Sequence, residues 1–226
     1  MPLQTITANI IGKPRVSVLE GIGYYVFPVV PLVQGVHTGS QGPTMYFLED
    51  MEKFASAWNQ KPVVVNHPKD EAGNFVSADD PAFLEIAKVG FMRANRINEE
   101  MERQEAEAWL AKDRLKKVAP EIEKMIRRKI NLEVSTGLFS DNEEKEGEWK
   151  GEEYKQIARL YRPDHLALLP DLVGACSLGD GCGMFVAAQK MPLKKMEKVQ
   201  IALKSALKDK VAIHSNCDCH KEKSMP

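Results

Sequence analysis

The stretch INLEVSTGLF, residues 130–139, decides the fold class. Ile130, Leu132, Val134, Thr136 and Leu138 recur at every second position, with Asn131, Glu133, Ser135, Gly137 and Phe139 between them. A period of two is the period of a strand with one buried face. Ser135 therefore points away from the more apolar face. Two shorter apolar runs support the same class. In PVVV, residues 62–65, three consecutive valines form a short buried strand that Asn66-His67-Pro68 ends. In HLALL, residues 165–169, alternation sets His165 opposite Leu166 and Leu168, and Pro170 closes the run.

Working outward, residues 14–33 read as irregular strand, which Pro28 and Pro31 place at an edge or in an ordered loop. Residues 37–44, rich in Gly, Ser and Thr, read as a loop. Phe47, Met51, Phe54 and Trp58 lie at helical spacing and predict a one-sided helix over residues 48–59. A polar loop over 70–81 precedes strands at 86–97 and 103–110, which a turn near residues 98–100 joins. Asp113 is placed to cap a short helix, and Pro120 to start another that runs to about Lys129. The acidic run 141–153 is expected to be a solvated hairpin connection, followed by a returning strand at 154–161 and a turn at Arg162-Pro163-Asp164. After Gly183 the pattern changes, and residues 194–211 are expected to form an amphipathic, lysine-rich helix. The expectation is one mainly β domain with surrounding helices, residues 10–188, followed by a helical and flexible tail, residues 189–226.

The whole-chain numbers agree with a globular protein. In 226 residues, 43% are hydrophobic and 28% charged, and the formal net charge is −1, which gives no electrostatic reason to expect a nucleic-acid partner. The longest apolar stretch, near residues 24–33, is broken by prolines and falls short of a bilayer span, so no membrane association is expected. No signal peptide is evident. The four cysteines, Cys176, Cys182, Cys217 and Cys219, cluster late and do not resemble a secreted disulfide framework. A soluble, intracellular setting follows as an expectation.

Chemistry narrows the field further. A serine hydroxyl needs a neutral imidazole to take its proton, and that imidazole needs a partner at its second nitrogen. Of five histidines, only His67 and His165 sit at the boundaries of short buried strands. Each also has an ordinary reading as a hydrogen-bonded strand-end residue. From the residues alone, a serine hydrolase is one possibility among several.

Three separated motifs, KPVVVNHP (61–68), LEVSTGLF (132–139) and RPDHLALLP (162–170), together resemble the prohead maturation proteases of tailed bacteriophages. Glu107-Ala-Trp109-Leu, Asp113-Arg-Leu and Val173-Gly-Ala-Cys176 fit the same pattern, so the resemblance covers about residues 15–185. These enzymes are similar in turn to herpesvirus assemblins, whose triad is Ser-His-His. The resemblance implies an assemblin-like antiparallel β-barrel, closed or partly open, with a shallow site on its outer surface. It implies Ser135 as nucleophile, His67 as base and His165 as the orienting member; Glu133, on the same strand face as Ser135, is the alternative third member. The assemblin arginine pair is absent, and Gly174 is the position from which a backbone N–H would serve the oxyanion. A neutral second histidine stabilises the His67 cation less than a carboxylate does, so slow turnover is expected.

The function implied is a serine endopeptidase that cleaves scaffold protein and major capsid protein precursors, and itself, inside the assembling prohead in the host cytoplasm. A homodimer or capsid-lattice association is implied as well, with no cofactor and no metal. Two rivals stand beside it. One is an inactive virion structural or scaffolding protein of the same fold. The other is a metal site formed by Cys217, Cys219, His220 and His214, although the Cys-x-Cys spacing is too close for the usual zinc knuckle.

Overall fold

The structure, a computed structural model, describes residues 13–186. The boundary expected at residue 188, the tail beyond it and the Cys217/Cys219/His220 cluster lie outside the described residues. In chain order the elements are β1 (Arg15–Leu19), β2 (Ile22–Val30), β3 (Gly35–Gly39), β4 (Gly42–Tyr46), α1 (Leu48–Phe54), β5 (Pro62–Val65), α2 (Pro81–Ala87) and β6 (Lys88–Asn98). They continue with β7 (Arg103–Ala111), α3 (Lys112–Val118), α4 (Pro120–Arg127), β8 (Glu133–Trp149), β9 (Glu152–Leu169) and β10 (Gly183–Met184). The molecule is mainly β with a few short helices, an α+β protein.

All ten strands belong to one sheet, in the order β1-β2-β7-β6-β5-β9-β4-β3, with β8 alongside β9 and β10 alongside β2. Two features correct the expected antiparallel barrel. The path is open, ending on β1 and β3, so the sheet is not closed into a barrel. It is also mixed, because β9 runs parallel to both β5 and β4. Leu132, just ahead of β8, exchanges a pair of backbone hydrogen bonds with Met184 of β10, at 3.0 and 2.9 Å.

The two faces of β9 fill two cores. Leu166 and Leu168 join Val63, Leu132 and Val134 in the larger core, which Leu115 of α3 and Ile122 and Ile126 of α4 cover. Burying each such leucine stabilises the fold by roughly 1.5–3 kcal/mol. Ala167 and Leu169 face the other way, into a smaller cluster with Val64, Ala78 and Ala87, against which Phe83 and Leu84 of α2 pack. Small residues on this second face let the polar groups described below approach the sheet closely.

Several local expectations change in the fold. The acidic run is not a loose connection: β8 continues through it to Trp149 and pairs with β9 as far as Glu152. Arg162-Pro163-Asp164 is not a turn but the middle of β9. Cross-strand pairing along the whole hairpin overrides the local turn signals. Residues 37–44 form the β3–β4 hairpin. β2 is not an edge strand, since β1 and β10 lie on one side of it and β7 on the other. Pro28 is tolerated there because its carbonyl faces β10, accepting from Phe185 N–H at 2.9 Å, so its missing N–H falls beside that short strand. The predicted helix at 48–59 splits into α1 and a 3₁₀ turn over Ala55–Trp58. Residues 81–87, expected to hold the end of the polar loop and the start of a strand, form α2 instead, which Asp80 caps by accepting from Ala82 and Phe83 N–H. Ala111, not Asp113, is the N-cap of α3.

Candidate active site

Ser135 lies opposite Ala167, and Gly137 opposite His165, on the face of the β8–β9 pair that carries the small residues. That face is continuous with Val64 of β5, which pairs with Ala167 from the other side. Ser135 and His165 are thus set on one face by register alone.

His67 needs a further device. Strict alternation from Val64 would put Asn66 on this face and His67 on the opposite one. Asn66 breaks the alternation by adopting a left-handed conformation, φ 60°, one that Asn tolerates better than most residues. Its own N–H still bonds to Leu168 O at 3.0 Å, so the break falls at the last rung of the ladder. His67 then meets His165: its Nδ1 lies 2.7 Å from His165 Nε2. The Phe75 ring packs nearly perpendicular to the His67 imidazole, with centroids 5.4 Å apart.

Asp164, which local sequence read only as part of a turn, completes the arrangement. Between the pairs Gly137↔His165 and Leu138↔Pro163 the register shifts by one, leaving Asp164 as the extra residue of a β-bulge. Such a bulge re-aims side chains that alternation would separate. The Asp164 carboxylate is buried, and its Oδ2 lies 2.5 Å from His165 Nδ1. The same oxygen accepts from Ala78 N–H at 2.7 Å, and Oδ1 accepts from Ser77 Oγ at 2.5 Å. Gly137 makes room for the centre, because a Cβ there would collide with the His165 ring.

The electrostatics follow from burial. His67 is pushed down from 6.5 to about 4, mainly by desolvation, with smaller contributions from His165 and Lys69. Burial also lowers His165, more than Asp164 and Asp79 can restore. Burial alone would raise Asp164, but Ala78 N–H, His165 and Ser77 together hold it below the ordinary carboxylate range. At neutral pH both imidazoles are uncharged and Asp164 is ionised.

Ser135, His67, His165 and Asp164 line one open cavity of about 740 Å³. Phe75, Phe139, Leu172 and Val173, all substantially exposed, border it. Ser135 Oγ makes no hydrogen bond among the described residues, and His67, whose Nδ1 is taken by His165, lines the same cavity. Glu133 is engaged elsewhere: its carboxylate accepts from Leu178 N–H at 3.1 Å and from Gly174 N–H at 3.4 Å. Glu133 therefore holds the 174–178 loop, and Gly174 N–H faces a carboxylate instead of standing free for an oxyanion. That loop is also joined by a Cys176–Cys182 disulfide, Cα atoms 5.6 Å apart, which the late clustering of cysteines did not suggest. Among the described residues no group of three or more His, Cys, Asp or Glu side chains is placed to hold a metal, and no helix is long and apolar enough to cross a membrane. No protein-family model, curated protein or solved structure matches this chain.

Proposed function

We propose that this chain is a serine endopeptidase of the prohead-protease kind, an open variant of the assemblin-like fold. The observation that carries it is the 2.7 Å contact between His67 Nδ1 and His165 Nε2 in the cavity that Ser135 lines. Two neutral imidazoles in series leave His67 Nε2 as the base for the serine that lines the same cavity. Ser135 gives its proton to that nitrogen as Oγ attacks the scissile carbonyl carbon, and the carbonyl π pair moves onto oxygen. Collapse of the tetrahedral intermediate expels the amine, which takes the proton from His67, and water then hydrolyses the acyl-enzyme by the same relay. Because Gly174 N–H is engaged by Glu133, the exposed backbone of residues 171–173, also on the cavity wall, is the place to seek the oxyanion donor. The apolar border suits an extended polypeptide with bulky side chains near the scissile bond.

Scaffold protein and capsid precursor inside a prohead in the host cytoplasm remain the substrates this reading implies, together with self-cleavage and association with a second copy or the capsid lattice. The test is co-expression with the scaffold and capsid precursors, with fragments identified by mass spectrometry. Ser135→Ala should abolish cleavage at unchanged melting temperature, and His67→Ala should be nearly as severe. His165→Ala should cost roughly 10- to 1000-fold. Full activity of Ser135→Ala refutes the mechanism, and a wild type inactive under every assembly condition favours an inactive structural protein.

A further inference from the structure

We infer that Asp164 is a positioning residue that fixes the direction of the whole imidazole relay, making the centre a four-member chain in which the carboxylate selects both histidine tautomers. This rests on the peptidase reading for its catalytic consequence, but the tautomers can be read without any substrate.

Donors and acceptors along the chain can pair in only one direction. Asp164 Oδ2 is an ionised oxygen 2.5 Å from His165 Nδ1, so that nitrogen must carry hydrogen. In a neutral imidazole the other nitrogen is then a bare acceptor. His165 Nε2, 2.7 Å from His67 Nδ1, therefore accepts, and His67 Nδ1 must carry hydrogen. His67 Nε2 is left with a free lone pair, which is what a base for Ser135 requires. Reversing the first bond reverses every later one. If His165 Nε2 carried the hydrogen, His67 Nδ1 would be the acceptor and His67 Nε2 would be blocked. One carboxylate thus decides whether the distant nitrogen can accept a proton. It also supplies the negative charge that a bare histidine pair lacks when His67 becomes a cation.

The surroundings fix the carboxylate itself. Ala78 N–H can only donate, so the oxygen it meets cannot be exchanged for an N–H₂ group. Ser77 Oγ, which accepts from Asp79 N–H at 3.1 Å, holds the second oxygen. This geometry separates two roles of Asp164. In Asp164→Asn the amide oxygen must stay at Ala78 N–H and His165 Nδ1, while the amide N–H₂ turns to Ser77 Oγ. The tautomers are retained and only the charge is lost. In Asp164→Ala both are lost.

The experiment pairs imidazole ¹⁵N spectra of histidine-labelled protein with cleavage kinetics. In wild type, His67 and His165 should both carry hydrogen at Nδ1, the tautomer that free histidine favours less. Asp164→Asn should keep that pattern and lower kcat roughly 10- to 100-fold at unchanged KM, the range of one charge-assisted hydrogen bond. Asp164→Ala should scramble the pattern and cost more than Asp164→Asn, up to roughly the thousandfold at the upper end for loss of His165 itself, as expected when an imidazole takes the wrong tautomer. Ser77→Ala, which leaves the carboxylate in place, should keep the tautomers with only a few-fold loss, and it guards against a misfolded Asp164→Ala protein. Hydrogen at Nε2 of either ring in wild type overturns the relay, as does an Asp164→Asn enzyme with wild-type kcat. If wild type cleaves nothing, the peptidase reading fails, while the spectra still decide the tautomers.

Discussion

Asp164 and His165 are neighbours in one strand, yet both side chains work on the same side of the sheet, because Asp164 is the unpaired residue of a bulge opposite the Gly137–Leu138 bond. A regular strand would send them to opposite faces. The bulge is therefore the feature that joins a buried carboxylate to the histidine pair, and a second irregularity, the left-handed Asn66, brings in His67 from the neighbouring strand. Two local departures from strand geometry assemble the site.

Gly137 should tolerate no side chain. Its φ is not in the left-handed region, so the backbone would accept alanine, but the new Cβ would strike the His165 ring. Gly137→Ala should displace that ring by a fraction of an ångström to an ångström, lowering kcat/KM roughly a hundredfold. Peptidase assays alongside the ¹⁵N spectra check this. Wild-type turnover with an undisturbed His67–His165 bond would show that the close approach is not needed.

Asn66 should be replaceable by glycine but not by a β-branched residue. At φ 60°, valine is strained by about 1–3 kcal/mol, whereas glycine is not. Asn66→Val should lower the melting temperature and lose activity together, while Asn66→Gly stays near wild type in stability. Equal melting temperatures for the two variants would remove the backbone argument for how His67 reaches its position.

The pH dependence has a defined sign. Burial lowers His67 from 6.5 to about 4, so between those values the unfolded chain binds more protons than the folded one. Its contribution is full above pH about 6.5 and is lost as pH falls toward about 4. His165, Lys69 and, through His165, the Asp164 and Asp79 carboxylates are the charged or titratable groups that act on this pair. Denaturant unfolding across this window should show stability falling with acid, and His67→Gln should flatten part of the slope. The acidic limb of kcat/KM should lie near pH 4, not near 6.5, because the free base titrates there. A limb at pH 6.5 would mean that His67 is solvated in the working enzyme.

Much of this arrangement was already written in the sequence. The alternation in residues 130–139 specified a strand with Leu132 and Val134 buried and Ser135 on the other face, and both leucines of residues 165–169 that oppose His165 do lie in the main core. Helical spacing found α1, and Pro120 marked the start of α4. These features depend on local periodicity and local propensity, which a single chain segment carries within itself. Register is different. Which residue of β9 lies opposite Gly137, and which one is left over as a bulge, depends on the pairing of two strands along their whole length, so Asp164 read as part of a turn. For the same reason the acidic run read as a loop, although cross-strand hydrogen bonds keep it extended. The Asp164 carboxylate, the Ser77 and Ala78 donors that hold it, and the histidine pair come from segments up to 98 residues apart. Only tertiary pairing could bring them together, because no local energy term links residues so distant in the chain.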